Sequence, residues 1–249
     1  GNYRMDNYED YYTQSAEMYD ILSEPHWETR KDTFIKSLKF MGVKTGNWLN
    51  IGSGTGQELS IIAQMFPDIH IFAIEPSASM RIGLMTRIMM LPEIQHQVTV
   101  IADTFQNTIL PKSFSAAIIC GCIGYFNQND RKILWNKLAN GLEKKGAILV
   151  DTMPFNTPCN ISKILLNSKK IGNHIYEIYL SGKPIDQEAI RWNMNFKIIE
   201  DDKVIRNFNI ERDWYTFGIE QVIKEASREG LVHENISSST VPMAILRHK

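Results

Sequence analysis

Gly52, Gly54 and Gly56 fall in the run Trp48-Leu49-Asn50-Ile51-Gly52-Ser53-Gly54-Thr55-Gly56-Gln57-Glu58, where a short apolar stretch passes into a helical one. Glycine lets a strand turn sharply into a helix and lets the backbone approach a ligand that any Cβ would hold off. The chemistry of such a loop is the cradling of a cofactor. Its glycines read G-x-G-x-G, whereas a dinucleotide loop reads G-x-G-x-x-G, so the spacing favours a nucleoside cofactor without a pyrophosphate. Glu75 follows the β-branched run 69–74 and precedes Pro76-Ser77. A carboxylate about 20 residues past the loop, at the carboxyl end of the next parallel strand, can accept hydrogen bonds from both ribose hydroxyls. A solvated strand-end Glu is the plainer alternative. Asp103, just past the run 98–101, suits an exocyclic amine such as that of adenine, or else a turn or helix cap.

These residues need elements to position them. Apolar, β-branched runs at 48–51, 69–74, 98–101, 114–120 and 146–151 read as five strands. Between them lie helical stripes: Leu59, Ile61, Ile62 and Met65; then Met80, Leu84 and Ile88; then Ile133, Leu134, Leu138 and Leu142, closed by Lys144-Lys145-Gly146. Strands alternating with helices predict an α/β fold, a doubly wound and mostly parallel sheet with helices on both faces. Ligands of such sheets collect at the carboxyl ends of the strands. The glycine loop, Glu75, Asp103 and Cys120-Gly121 all fall at those ends.

The chain resembles the class I S-adenosylmethionine-dependent methyltransferases, in particular the small-molecule type with an N-terminal helical cap on a Rossmann-like sheet. The resemblance rests on Leu49-Asn50-Ile51-Gly52-Ser53-Gly54-Thr55-Gly56 and Ile74-Glu75-Pro76-Ser77-Ala78-Ser79-Met80. It continues more weakly at Ala102-Asp103, from 138 to 151, and at Trp214-Tyr215-Thr216 before a helix ending at Glu229-Gly230-Leu231. It implies S-adenosylmethionine as cofactor, with S-adenosylhomocysteine as product. It further implies that the backbone of Gly52, Ser53 and Gly54 lies along the methionine part, with Asn50 and Gly56 in the same binding set. Glu75 would hold the ribose with Pro76 beside it, and Met80 would pack near the adenine. Asp103 would meet the adenine amine between Ala102 and Thr104, and Cys120 and Gly121 would offer carbonyls to the cofactor's amino group. Asn50 departs from the family, which usually has an acid there; the amide can still hydrogen-bond but lacks the charge that favours a nearby sulfonium.

Composition agrees. At 249 residues the chain can bury a sizeable core, and 43% hydrophobic with 22% charged residues is ordinary for a globular protein. A net charge of -1 provides no overall field for nucleic acid or an anionic membrane. The longest apolar run, 114–126, is too short to span a bilayer. A cytoplasmic protein is expected. Three cysteines suit a reducing compartment, and neither they nor the six scattered histidines form a metal-binding spacing, so no metal is expected.

The expected organisation is an N-terminal helical cap at 1–42, a cofactor-binding core at 43–151, a lid or dimerisation insertion at 152–213, and a C-terminal helix and strand completing the core at 214–249. The cap carries Tyr3, Tyr8, Tyr11, Tyr12 and Tyr19 and a helical pattern at 27–41. Tyr19 and Tyr11 are candidate contacts to cofactor or acceptor, while Tyr3 and Tyr8 are read as anchors. The insertion shows a short helical pattern at 161–168, then two alternating stretches at 191–198 and 203–211 that predict an antiparallel hairpin. A homodimer through that hairpin is one expectation. The function implied is methyl transfer by in-line displacement to N or O of a small molecule, free or carrier-tethered. Alternatives are a nicotinamide-dependent oxidoreductase and a noncatalytic binding protein of the same fold. No motif fixes a general base; Tyr125, His174, His26 and Asp151 are the candidates, Tyr125 doubling as a substrate contact.

Overall fold

The computed structural model describes residues 8–234 and 241–249; Tyr3 lies outside them. Seven strands form one sheet: β1 (Gly46–Ile51), β2 (Ile69–Ile74), β3 (Val98–Ile101), β4 (Phe114–Ile119), β5 (Leu142–Asp151), β10 (Leu231–Glu234) and β11 (Met243–His248). Their order is β10-β11-β5-β4-β1-β2-β3. The pairs among β1 to β5 are parallel, and β11 runs antiparallel to both β5 and β10. Every residue of β4 is buried, as a strand covered on both faces requires.

Helices α1 (Tyr19–Phe40), α2 (Gln57–Met65) and α3 (Ala78–Met89) cover one face, with Phe34, Leu38, Leu59, Ile62, Leu84 and Ile88 in its core. Helices α4 (Gln128–Gly141) and α5 (Ile219–Arg228) cover the other through Leu134, Trp135, Leu138, Val222 and Ala226. Their starts are written in the sequence. Ser77 accepts from the Met80 amide at 3.1 Å, and Asn127 with Asp130 forms a reciprocal capping box on α4. Buried Arg131 grips Glu225 with two 2.9 Å bonds and ties α4 to α5. The expected end of α4 at Lys144-Lys145-Gly146 is corrected: the helix stops at Gly141, and Glu143, Lys144 and Lys145 are an exposed start of β5. A Cβ on Gly141 would lie 2.3 Å from the Phe114 ring, so the helix end and strand approach closely only because this residue is glycine.

The insertion is larger than the hairpin the alternation predicted. It is a four-stranded antiparallel meander, β6 (Ile161–Ile171), β7 (His174–Pro184), β8 (Ala189–Glu200) and β9 (Lys203–Tyr215), forming its own sheet. The helical pattern at 161–168 is an error with a physical cause. Register shifts between Ile161/Ile164 and Leu165/Asn167 break the two-residue alternation of β6 and leave its apolar residues at helix-like spacing. One face of this sheet packs Ile178, Met194, Phe196, Ile198 and Ile210 against Met18, with Ile21 and Leu22 of α1 alongside.

The helical pattern expected at 27–41 is part of a longer helix, α1, which starts at Tyr19 and runs on despite Pro25. Proline has no N–H for the carbonyl four residues earlier, here that of Ile21. Asn167 Nδ2 of β6 donates to this carbonyl at 2.8 Å, so the insertion repairs the break in the cap helix. Among the described residues no helix is long and apolar enough to cross a membrane.

Candidate active site

The turn after β1 folds back over the end of β2, where the Gly52 and Ser53 amides both donate to the Ile74 carbonyl. Its three glycines have separate roles. Gly52 (φ 72°) leaves no room for a Cβ, which would lie 2.9 Å from Cys122 Cβ, and Gly56 (φ 85°) lets α2 close on Leu84 of α3. Gly54 (φ 58°) is the buried lip of the turn, where a Cβ would have no contact nearer than Met80 at 3.5 Å. The Gly54 amide donates to Glu75 Oε1 at 2.7 Å, and the Ser77 amide donates to Oε2 at 2.9 Å. The carboxylate expected at the ribose is thus locked to the loop. Burial pushes its pKa up, against the pull of the two amides.

A cavity of about 280 Å³ opens at these strand ends. The core contributes Ile51, Gly52, Gly54, Ile74, Glu75, Pro76 and Met80, then Thr104, Phe105, Gln106, Gly121, Cys122, Tyr125 and Phe126. The cap contributes Tyr8, Tyr11, Tyr12 and Tyr19. A cleft of about 110 Å³ adjoins it, sharing Tyr19, Gly52, Gly54 and Gly121, and is lined further by Ser53, Thr55, Glu58, Cys120, His26 and Arg30. Ten of the expected residues therefore meet: Gly52, Ser53, Gly54, Glu75, Pro76, Met80, Thr104, Cys120, Gly121 and Tyr125, with Tyr11 and Tyr19 over them.

Others lie elsewhere. Asn50 is fully buried beneath the loop, where its Oδ1 accepts from Ser53 Oγ at 2.7 Å; it braces the turn and does not face the cavity. Gly56 serves packing, and neither Ala102 nor Asp103 lines the cavity; Asp103 Oδ1 accepts from the Thr104 amide at 2.8 Å, as a turn residue does. His174 is corrected outright: it opens β7 at the β6–β7 turn, 3.5 Å from Glu200, and lines neither space. The antiparallel hairpin carries it to the insertion's tip. Asp151, another base candidate, sits under the floor, its Oδ1 accepting from the Gly121 amide at 2.8 Å, and burial pushes its carboxyl up to about 6.

The sequence missed Tyr12, and underrated Tyr8. Tyr12 Oη meets Tyr125 Oη in a close hydrogen bond, its ring is edge-on to Tyr19 with centroids 6.0 Å apart, and Arg212 of β9 lies 4.1 Å over it. Trp214 stands 4.6 Å behind Tyr125, at a position open only because residue 124 is glycine: a Cβ there would lie 1.7 Å from the indole nitrogen. Phe105 and Gln106 were also missed, being one and two residues past the stretch that the strand-end rule selects.

Two latches hold the cap over the core. Asp10 accepts from the Ser77 hydroxyl and from both the amide and hydroxyl of Ser79, at the N-terminus of α3, where the helix field also favours an anion. Burial opposes its ionisation, but the bonds from Ser79, Ser77 and the Tyr12 amide outweigh it and hold the carboxyl below its ordinary range. Asp20 in the first turn of α1 accepts from Thr55 Oγ1 and Arg87, and Arg87 also donates to the Thr55 carbonyl at 2.8 Å.

The cavity is poor in proton acceptors. Burial pushes the phenols of Tyr8, Tyr12, Tyr19 and Tyr125 upward, Tyr125 to about 12, so they are protonated at neutral pH. The Cys122 thiol is pushed up likewise and donates to the Ile51 carbonyl. Among the described residues no His, Cys, Asp and Glu group is arranged to hold a metal.

No family model matches the sequence, and no curated protein matches it significantly. Solved structures do resemble it. DesVI of Streptomyces venezuelae superposes with a TM-score of 0.75 at 18% identity, over 97% of this chain and 100% of that one. The CcbJ methyltransferase of Streptomyces caelestis superposes with a TM-score of 0.71 at 14% identity, over 97% and 99%. CalS10 of Micromonospora echinaspora, an amino pentose methyltransferase solved with S-adenosylmethionine bound, has a TM-score of 0.68 at 14% identity, over 99% and 94%. Superposed on these structures over nearly its whole length, the protein has the fold of the S-adenosylmethionine-dependent methyltransferases.

Proposed function

We propose that the protein transfers a methyl group from S-adenosylmethionine to the amine of a small molecule, an amino sugar being the class its structural neighbours suggest. The observation that carries this reading is the cavity itself. An acidic residue locked to a glycine turn faces a wall of neutral tyrosines under a latched cap. The donor fits the residues present: Gly54 leaves the lip open where a side chain would intrude, Glu75 offers carboxylate oxygens for ribose hydroxyls, and Met80 with Phe105 offers apolar surface for a purine. KedS8, a sugar N-methyltransferase, and MtfA, a glycopeptide N-methyltransferase, share the fold at 16% identity each.

The bound donor supplies an already activated sulfonium methyl. The protein's work is then alignment and exclusion of water. Tyr11, Tyr12 and Tyr19 close the cavity from the cap, and the Tyr12 and Tyr125 hydroxyls lie where an acceptor heteroatom can be hydrogen-bonded. A neutral amine attacks with its own lone pair and sheds its proton to solvent afterwards. A hydroxyl needs a base during attack. Glu75 is committed to the two loop amides and, in this reading, to the donor's ribose, and the phenols hold their protons, so the cavity suits nitrogen over oxygen. The test is incubation with trideuteriomethyl-labelled donor and matched aminosugars and hydroxysugars. Mass gain on the amines supports the reading; gain on the hydroxyl series alone, or none with either series, contradicts it.

A second copy of the chain is the partner we assign to the insertion, whose strands expose Ile164, Leu165, Val204 and Ile205. Sedimentation velocity should give twice the monomer mass, and a Val204→Lys/Ile205→Lys variant should sediment as the monomer.

A further inference from the structure

A cleft of about 470 Å³ lies outside the methyl-transfer cavity, where the insertion joins the core. Its volume is that of a small-molecule site, about 300 to 1,000 Å³. Five polar side chains reach it from four segments: Gln128 of α4, Asn156 of the link into the insertion, Glu188 of the β7–β8 turn, and Glu220 and Lys224 of α5. None of the five side chains has a hydrogen-bond or ion-pair partner among the described residues. Polar groups that converge on one concave space without serving the fold are the mark of a ligand site. Tyr215 and Phe217, where the chain leaves the insertion, supply apolar surface. Arg131 lies 3.8 Å over the Phe217 ring and holds it in place, but its own donors are spent on Glu225 and the Phe126 carbonyl.

The lining selects the ligand's chemistry. Glu188 and Glu220 outnumber Lys224, so a phosphate is repelled. An amide presents both a donor and an acceptor, which matches a hydroxyl that does both, and aromatic rings suit a face of C–H groups. A neutral sugar ring carries hydroxyls and such a face together. We propose that this cleft is a saccharide-binding site, separate from the methyl-transfer cavity and specific for neutral, hydroxyl-rich rings. The two spaces stand back to back. Phe126, whose carbonyl Arg131 holds at 2.9 Å, lines the cavity, and Trp214, the neighbour of Tyr215 in β9, stands 4.6 Å from Tyr125. A sugar in the cleft therefore bears on the wall that carries Tyr125 without entering the cavity, and its binding requires no methyl donor.

Saturation-transfer NMR on the full chain without donor tests this, with methyl α-glucoside, maltose and glucose 6-phosphate as probes. The two neutral sugars should show transfer, and the phosphate should show none. Two variants locate the site. Asn156→Trp fills the cleft, and Gln128→Ala/Asn156→Ala removes both amides without adding bulk; each should raise the dissociation constant for maltose about tenfold or more. Because neither amide has a partner in the chain, the double variant should keep the wild-type melting temperature, so it decides the matter even where the tryptophan disturbs folding. Absence of transfer to either neutral sugar, equal transfer to the phosphate, or maltose binding unchanged in the double variant overturns the proposal. With no donor present, each of these results leaves the donor assignment standing, and that assignment is read separately by calorimetry.

Discussion

At the scale of single residues, function here is a matter of which oxygen and nitrogen atoms are held in place. That the glycine turn and Glu75 meet at one crevice was legible because a strand-to-helix turn with positive φ demands glycine, and because strand-end acids recur at a fixed remove; the bond that joins them was not. Asn50 was not, since a polar residue at a strand end can face the crevice or brace the turn below it, and only the Ser53 hydroxyl decides which. Tyr12 was beyond reach for another reason: its partner Tyr125 is 113 residues away. The Asp10 latch yields a pH prediction. A carboxyl depressed by folding contributes stability above its unfolded value, 3.8, and loses it as pH falls through the lower folded value. In urea unfolding at pH 7, Asp10→Ala should cost about 1 to 3 kcal/mol, from its hydrogen bonds to a charged group. Near pH 3 the gap between wild type and variant should shrink; a gap constant with pH removes the ionised carboxylate from the latch.

At the scale of elements, the parallel core was readable because buried strands are continuous apolar runs and the covering helices carry clean stripes. The insertion was half readable. β8 keeps strict alternation and was seen as a strand, while the register shifts of β6 gave it the spacing of a helix. The single cap helix was hidden by Pro25, whose missing bond is made good from another element. That repair is testable as a thermodynamic cycle. Asn167→Ala should destabilise by about 1 to 3 kcal/mol, by leaving the Ile21 carbonyl unpaired. In a Pro25→Ala background, where the new amide can satisfy that carbonyl, the same substitution should cost much less. Equal costs in both backgrounds would mean that Asn167 does not compensate for the proline.

At the scale of the whole molecule, the sheet presents one crevice, and the cap and insertion close it jointly. Met18, Ile21 and Leu22 pack on the insertion, while Asp10 and Asp20 tie the same cap to α3 and the glycine turn. The same cap lines the small cleft through Tyr19 and meets the insertion again where Arg212 lies over the Tyr12 ring. The most direct measurement of this account is a calorimetric titration of the wild type and Glu75→Ala with S-adenosylmethionine. The account predicts one site per chain in the wild type and a loss of about 1 to 3 kcal/mol in the variant, the worth of the ribose hydrogen bonds. No binding by the wild type, or an unchanged dissociation constant in the variant, would contradict it.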